Sequence, residues 1–397
     1  MNTVDAAGLE IGDGHPPRIM GVLNVSEESP YDPSVYDDPG EAAQYVDDEL
    51  ISEGADIVDI GLESANKRFE VLSADEELER LHLALETIES VSGDAVFSIE
   101  TRYASVADEA LSMGFDMVND ICGFADPAMP TVCSERDAAV VKMASPPDLE
   151  RPGAVGATDW STRRSPDWAK RASYVDQVYE ALKQNGLTGR TIIDPAFGGW
   201  SQTQTLEDDR ETFRRLREFR ALGQPVLVSI NRKNFLGEIA DRETDARLPV
   251  SLAATGLAVE RGAHVVRTHD VAETRDAALI GSEFRTRSSA SEGGVTVSEL
   301  EIDSLRTFRA HLGERGIDPD VAADWQTRVL EIDGLAEQSI DRLVAETVGP
   351  DATVYRTPDD SVLFIGTPGG LSEVRARIEA ETEQTGQLIE VLGKMPQ

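Results

Sequence analysis

Lysine is scarce in this chain: only Lys67, Lys142, Lys170, Lys183, Lys233 and Lys394 occur in 397 residues. Basic residues total 37 against 74 acidic ones, a formal charge of −37. A surface that negative repels phosphate backbones and anionic lipid, which argues against nucleic-acid and membrane partners. An excess of carboxylates with few lysines is expected of an acidic, halophilic-type surface, hydrated in high salt where screening blunts self-repulsion. Cysteine is nearly absent as well. Cys122 and Cys133 cannot staple a chain of this size and have no metal-ligand spacing with a partner, as suits a reducing compartment. No apolar run approaches the ~18 residues of a membrane span. Residues 1–17 lack the charged-then-apolar order of a secretory signal. The expectation is a soluble, cytoplasmic protein. Aromatics are few at 6%, yet hydrophobic residues at 40% suffice for a sizeable core.

What is present is a rhythm. From residue 18 to 284, short apolar runs alternate with amphipathic stretches of helical length. The runs are 18–24, 55–61, 95–100, 116–120, 138–143, 191–194, 225–230 and 264–269. They are nearly continuous in apolar character, as parallel strands buried on both faces require. The helical stretches are 40–54, 74–90, 105–114, 169–186, 208–223 and 248–262, most of them stopping on glycine. Eight strand–helix units over ~265 residues predict a TIM (β/α)8 barrel. Residues 1–17 read as an N-terminal segment. The serine- and glycine-rich stretch 285–296 reads as a linker, and 297–397 as a small α+β domain. In that domain helices are expected near 297–313, 321–330, 339–348 and from Leu371, with a hairpin at 352–356 and 361–366.

In such a barrel the active site forms from the carboxyl ends of the strands. Those ends carry Asn24, Glu63, Glu100, Asn119 with Asp120, Lys142, Asp194, Asn231-Arg232-Lys233, and Arg267 with His269. Any one of them has an ordinary alternative as a helix cap or loop pin; the collective placement carries the functional reading. Two carboxylates and an amide (Glu100, Asp194, Asn119) match an N–H-rich heterocycle such as an aminopyrimidinone. Arg267 and His269, with Asn24, make an anion site, the arginine offering a fork for phosphate oxygens. Asn24 supplies the neutral oxygen that a magnesium ion takes beside substrate phosphates. A flat, nitrogen-rich ring carrying a diphosphate leaving group fits this set.

Six segments then meet a known family. IMGVLNVS at 19–26, EGADIVDIGLES at 53–64, VNDICG at 118–123, DPAFG at 194–198, NRKNFLG at 231–237 and VRTHDV at 266–271 resemble dihydropteroate synthase, in order and spacing. The resemblance spans the 18–284 segment and implies a pterin-binding TIM barrel. Such enzymes displace diphosphate from 6-hydroxymethyl-7,8-dihydropterin diphosphate with the amine of p-aminobenzoate. It further implies that Asn24 holds Mg2+ with the diphosphate. Glu100, Asn119, Asp194 and Lys233 would bind the pterin, and Arg267 and His269 the departing diphosphate. The catalytic groups would be Lys233, Arg267 and His269, the partners small molecules, and the assembly a possible homodimer.

The departures from the family pattern are grouped. Glu100 replaces the usual aspartate (SIET for SIDT), the first loop reads NVSEESP for NVTPDSF, and the second reads ESANKR for ESTRPG. Asn234 stands where a serine often follows the lysine, and Met143-Ala144 replaces a methionine–histidine pair. These changes leave open a different aryl amine, a pterin-binding methyltransferase or a silent pterin-binding protein. His264 is expected on the barrel exterior, and Cys122 as a small buried hydrophobe.

Overall fold

The computed structural model describes residues 1–25, 34–63, 71–145, 158–198, 204–285, 289–292, 295–298, 300–325, 327–332, 336–346, 351–357, 361–367, 369–370 and 372–373. A hairpin of β1 (Val4–Ala6) and β2 (Leu9–Ile11) precedes eight strands. These are β3 (Arg18–Asn24), β4 (Ile57–Gly61), β5 (Val96–Glu100), β6 (Met117–Asp120), β7 (Ala139–Met143), β8 (Thr191–Asp194), β9 (Leu227–Val228) and β10 (Val265–Thr268). Neighbours pair in parallel from β3 to β8, and β10 joins β9 to β3. A parallel bridge between Ile193 and Val226 links β8 to the entry of β9 and closes the ring. This is the expected TIM barrel. Seven strands each differ from their sequence bounds by at most two residues in total. The exception is β9, where six residues were expected and two enter the ladder. Pro225 has no N–H to contribute; its carbonyl accepts from the Ile193 N–H at 2.9 Å instead.

Strand side chains alternate between the barrel interior and the surrounding helices. Met20, Ile57, Val96, Met117, Ala139, Val141, Ile192, Leu227 and Val265 pack into one interior cluster. Val58, Ile60, Ile99, Val118, Val140, Ile193 and Val266 face out, into the larger cluster beneath the helices. The helix Ala74–Ser90 illustrates why the outer layer forms: Ser73 and Glu76 make a reciprocal capping box, and Leu81, Ala84 and Leu85 present one buried stripe.

Residues 1–17, taken from sequence as a plain segment, plug the amino-terminal end of the barrel. Val4, Ala6 and Ile11 are fully buried and belong to the interior cluster. Asp13 follows them, its Oδ1 accepting from Arg220 at 3.1 Å and from Arg285 at 3.0 Å. His264 completes this group: it has the outward parity of Val266 and is buried rather than solvent-facing. Its Nδ1 accepts from the Val226 N–H at 3.1 Å, which leaves the proton on Nε2, 3.2 Å from Asp13.

Two units divide the chain, Met1–Glu299 and Leu300–Gln397. The stretch 285–296, expected to be a linker, contributes instead to an antiparallel hairpin of β11 (Ser289–Glu292) and β12 (Val295–Ser298). The second unit is α+β, as expected. Its sheet orders β13 (Arg328–Ile332), β15 (Val362–Gly366) and β14 (Ala352–Arg356), all antiparallel. Ile340 and Leu343 of the helix Glu337–Glu346 pack on Ala352, Val354, Val362 and Phe364. Two helices differ from expectation. The first starts at Leu305, where the Ser304 side chain caps it, rather than near 297. The second is a short 3-10 turn, Pro319–Asp324, and the β-branched run after it becomes β13. The helix expected from Leu371 lies outside the described residues apart from isolated positions.

Candidate functional site at the carboxyl end of the barrel

Strand register assembles the site. Asn24 on β3 pairs with Gly61 on β4, Gly61 with Glu100 on β5, and Glu100 with Asn119 on β6. Four neighbouring strands therefore end in one polar arc. Gly61 leaves room in it: a Cβ there would sit 3.0 Å from Asn24 Oδ1 and 3.9 Å from Glu100 Oε1. One interior step lower lies Asp59, fully buried, accepting from Ser98 Oγ at 2.7 Å and from Asn119 Nδ2 at 2.9 Å. Arg267 reaches across from β10. Its Nε donates to Asp59 Oδ2 and its Nη2 to Glu100 Oε2, both at 2.7 Å. Asn119 Nδ2 also approaches Glu100 Oε2 at 3.4 Å.

Lys233 enters from the loop after β9. Its Nζ, Cε and Cδ would lie 2.6, 2.9 and 2.7 Å from a Cβ on Gly198, so the side chain runs over that glycine. Gly198, at φ +103°, donates its N–H to Asp209 Oδ1 at 3.2 Å. Asp194 at the end of β8 accepts from the Ala196 N–H at 2.8 Å. The 231–234 loop is held from two sides. Asp270 grips Arg232 through Nε and Nη2, both at 2.8 Å, and Asn231 Nδ2 at 2.8 Å. Arg247 bonds the Arg232 carbonyl at 3.1 Å and Asn234 Oδ1 at 2.8 Å. Since Asp270 follows His269 directly, this clamp ties the Lys233 loop to the Arg267–His269 strand end. Arg232 keeps a left-handed backbone at φ +52°, a conformation such a network must impose.

Burial and crowding shift the titrations. Desolvation pushes Glu100 up to about 7; Arg267 and Lys233 oppose that, while Asp59 and Glu63 add to it. Asp194 rises to about 6, again through burial, in spite of the Ala196 N–H, Lys233 and Arg267. Burial and Arg267 lower the Lys233 ammonium, and Asp194, Asp209 and Glu100 partly restore it. His269 falls to about 3 because burial and Arg267 disfavour a second cation there. It is therefore a neutral hydrogen-bonding ring. Burial disfavours the Arg267 charge, but Glu100 and Asp59 outweigh that and hold the proton more firmly.

The structure brings Glu100, Asn119 and Arg267 into direct hydrogen-bonding contact, with Asn24 beside them across Gly61 and with Lys233 and Asp194 in the same electrostatic field. Two other strand-end candidates, Lys142 and Asp120, fall elsewhere because of parity, and Glu63, two residues past the end of β4, is held by other partners. Lys142 points outward, donating to the Gln184 carbonyl and, at 2.8 Å, to that of Gly186. Asp120, also outward, accepts from the Cys122 and Phe124 N–H groups at 2.7 Å. Glu63 is paired with Arg102 and accepts from the Leu72 N–H at 3.0 Å. Asp59 is the group that strand-end reasoning missed. Its signal was a carboxylate inside the otherwise apolar run IVDIG. The remodelled loops at 26–30 and 65–68 lie outside the described residues.

Among the described residues, no group of three or more His, Cys, Asp or Glu side chains is arranged to hold a metal ion. Asn24 donates its Nδ2 to Ser34 Oγ at 3.0 Å, which orients Oδ1 as its acceptor. A single amide oxygen suits a cation that arrives with phosphate and water ligands of its own, as Mg2+ does.

Comparison with known proteins agrees with this geometry. Residues 20–269 match the family model described as pterin binding enzyme. A probable bifunctional folylpolyglutamate synthase/dihydropteroate synthase of Halobacterium salinarum is 34% identical over 279 residues, 70% of this chain. The match covers only 33% of that longer protein. The dihydropteroate synthase of Bacillus subtilis is 32% identical over 254 residues, covering 64% of this chain and 83% of the relative. Among solved structures, a Coxiella burnetii dihydropteroate synthase in complex with pteroic acid superposes with a TM-score of 0.57 at 30% identity, covering 72% of this chain and 99% of the other. The Thermus thermophilus enzyme in complex with 4-aminobenzoate gives 0.54 at 29%, covering 71% and 99%. With the barrel, its polar mouth and the matched span in agreement, the chain belongs to the pterin-binding enzyme family.

Proposed function

We propose that this chain is a transferase of the dihydropteroate synthase type, condensing 6-hydroxymethyl-7,8-dihydropterin diphosphate with p-aminobenzoate. The observation that carries the reading is the buried constellation of Asp59, Glu100, Asn119 and Asp194 with Lys233 and Arg267 at the carboxyl end of the barrel. The relatives' names and the pteroic acid and 4-aminobenzoate of the solved structures support it.

In this reading Glu100, Asn119, Asp194 and Lys233 bind the pterin edge, where carboxylate and amide oxygens meet ring N–H groups. Arg267 and His269 bind the diphosphate with Asn24. The bond between the exocyclic methylene and oxygen breaks with its electron pair going to diphosphate. The aryl amine nitrogen then bonds the methylene and gives up a proton. Arg267 stabilises charge growing on the leaving oxygen, and neutral His269 contributes a hydrogen bond rather than a charge. Asn24 Oδ1 would hold Mg2+, which when bound neutralises part of the diphosphate charge. Burial of Asp194 withholds competing water from the ring edge.

The proposal extends to a cytoplasmic protein working in high salt, which the acid excess favours. It also includes a homodimer. Helices Leu248–Glu260 and Val271–Glu283 cross where Gly256 meets Gly281, and Leu257, Ile280 and Phe284 stand exposed along this face. Ile280→Arg with Phe284→Arg is expected to yield a monomer by light scattering; an unchanged mass rejects that surface.

Purified protein incubated in molar salt with the pterin diphosphate, Mg2+ and p-aminobenzoate should release diphosphate and form dihydropteroate. Lys233→Ala should lose the bare pterin, and Arg267→Ala should lose diphosphate while keeping the pterin. Absence of turnover, or unchanged ligand affinities by calorimetry, would overturn the assignment.

A further inference from the structure

This inference rests on the pterin-diphosphate reading above and deepens it at one contact. Arg267 has two carboxylate partners of unequal character. Asp59 is immovable: it is wholly buried, and Ser98, Asn119 and Arg267 all donate to it within 2.9 Å. Glu100 is not. Its side chain keeps 11% of its exposure and that of Arg267 keeps 19%, so their 2.7 Å contact faces the mouth. Glu100 also carries one methylene more than the aspartate that the resembled family places there.

An anion approaching Arg267 thus meets a guanidinium already neutralised. We propose that Glu100 is an internal counter-anion of Arg267, exchanged for the diphosphate only when the pterin ring draws Glu100 onto its own N–H edge. The two halves of the substrate are then coupled. A ring bound at Glu100 frees Nη2 for the tail, and free diphosphate without a ring must displace a seated carboxylate. Linkage makes this reciprocal, so departure of the pteroate product returns Glu100 to Arg267 and expels diphosphate. Glu100 acts here as a positioning residue, through Arg267.

The test is calorimetric binding of inorganic diphosphate, with Mg2+ in constant excess at pH 8, to the full chain and to Glu100→Gln, Glu100→Asp and Arg267→Ala. Glu100→Gln should bind diphosphate about tenfold more tightly, a gain that structural damage does not produce. Glu100→Asp keeps the charge but shortens the reach, and should gain by less. Saturating bare pterin should tighten diphosphate binding in the wild type and not in Glu100→Gln. Unchanged or weaker binding in Glu100→Gln overturns the exchange. A gain in Glu100→Gln with none in Glu100→Asp assigns the effect to net charge and overturns it too. Undiminished diphosphate binding by Arg267→Ala would instead overturn the anion site itself, a separate failure.

Discussion

A single methyl group added at Gly198 tests whether Lys233 is placed by the backbone beneath it. Gly198 sits at φ +103°, and a Cβ there would come within 2.6–2.9 Å of three atoms of the Lys233 side chain. Ordinary contact begins near 3.4 Å, so Gly198→Ala forces a displacement. Two consequences separate. The left-handed backbone costs about 1–3 kcal/mol of stability, lowering the melting temperature by about 2–4 °C per kcal/mol. Lys233 can swing aside within its loop, so the barrel survives, but its ammonium leaves the position between Asp194, Asp209 and Glu100. One lost charge-assisted hydrogen bond is worth about 1.5–3 kcal/mol, or about 10- to 100-fold in affinity. Calorimetry with the bare pterin reads the second effect and thermal unfolding the first. Lys233→Ala sets the limit of complete loss. A folded Gly198→Ala protein that binds the pterin with wild-type affinity would refute the reasoning, since the amine would then work from a place its structure does not give it.

Two further predictions concern charge away from the ring. Glu77, buried on the helix Ala74–Ser90, is pushed by desolvation to about 7, although the Thr101 hydroxyl and Arg102 oppose the shift. The folded protein therefore keeps a proton that the unfolded chain releases near pH 4.5, and this stabilisation is lost as pH rises from about 4.5 to 7. Relative to Glu77→Gln, wild-type stability should fall over that window by at most about 1.4 kcal/mol per pH unit, measured by urea unfolding; parallel pH profiles would reject the buried proton. Asp13→Ala removes the acceptor shared by Arg220, Arg285 and His264 at the closed end of the barrel. Asp13 is partly exposed, which reduces the cost of a broken buried pair to about 1–3 kcal/mol. Turnover per folded molecule should not change. A stability loss within about 0.5 kcal/mol would show that apolar contacts alone seat the hairpin.

The barrel was legible because continuous apolar runs and glycine stops are local signals, and parallel strands buried on both faces must carry them. The site was legible only as far as strand ends. Asn24, Glu100 and Asn119 are last or nearly last in their strands, and so are Lys142 and Asp120. What separates them is parity: a side chain one step along faces the helices instead of the mouth. Lys142 consequently caps carbonyls after the helix Tyr174–Lys183, over the ring of Phe124. Parity is set by the register of all eight strands together, and no single run reveals it. Asp59 shows the converse. Counting inward from Gly61 in steps of two reaches it, and a carboxylate in that slot needed a partner across the barrel. Arg267 is more than two hundred residues away in sequence. In the 289–298 segment, serine and glycine composition masked the alternation of VTVS, and a hairpin formed where a linker was expected.

The charge economy of the whole chain and that of the site follow different length scales. A formal charge of −37 would repel a diphosphate at long range in dilute buffer. At about 1 M salt the Debye length falls to about 3 Å, and that far field vanishes. Contacts survive: Arg267 to Asp59 and Glu100 at 2.7 Å, and Lys233 among its carboxylates, are shorter than the screening length or shielded from ions by burial. Four carboxylates, Asp59, Glu100, Asp194 and Asp209, then face two cations, with His269 neutral. Such a site is slightly too negative to welcome a polyanion by itself. It requires either an accompanying cation beside Asn24 or the withdrawal of a carboxylate from Arg267, and the mouth-facing Glu100 is the carboxylate placed to withdraw.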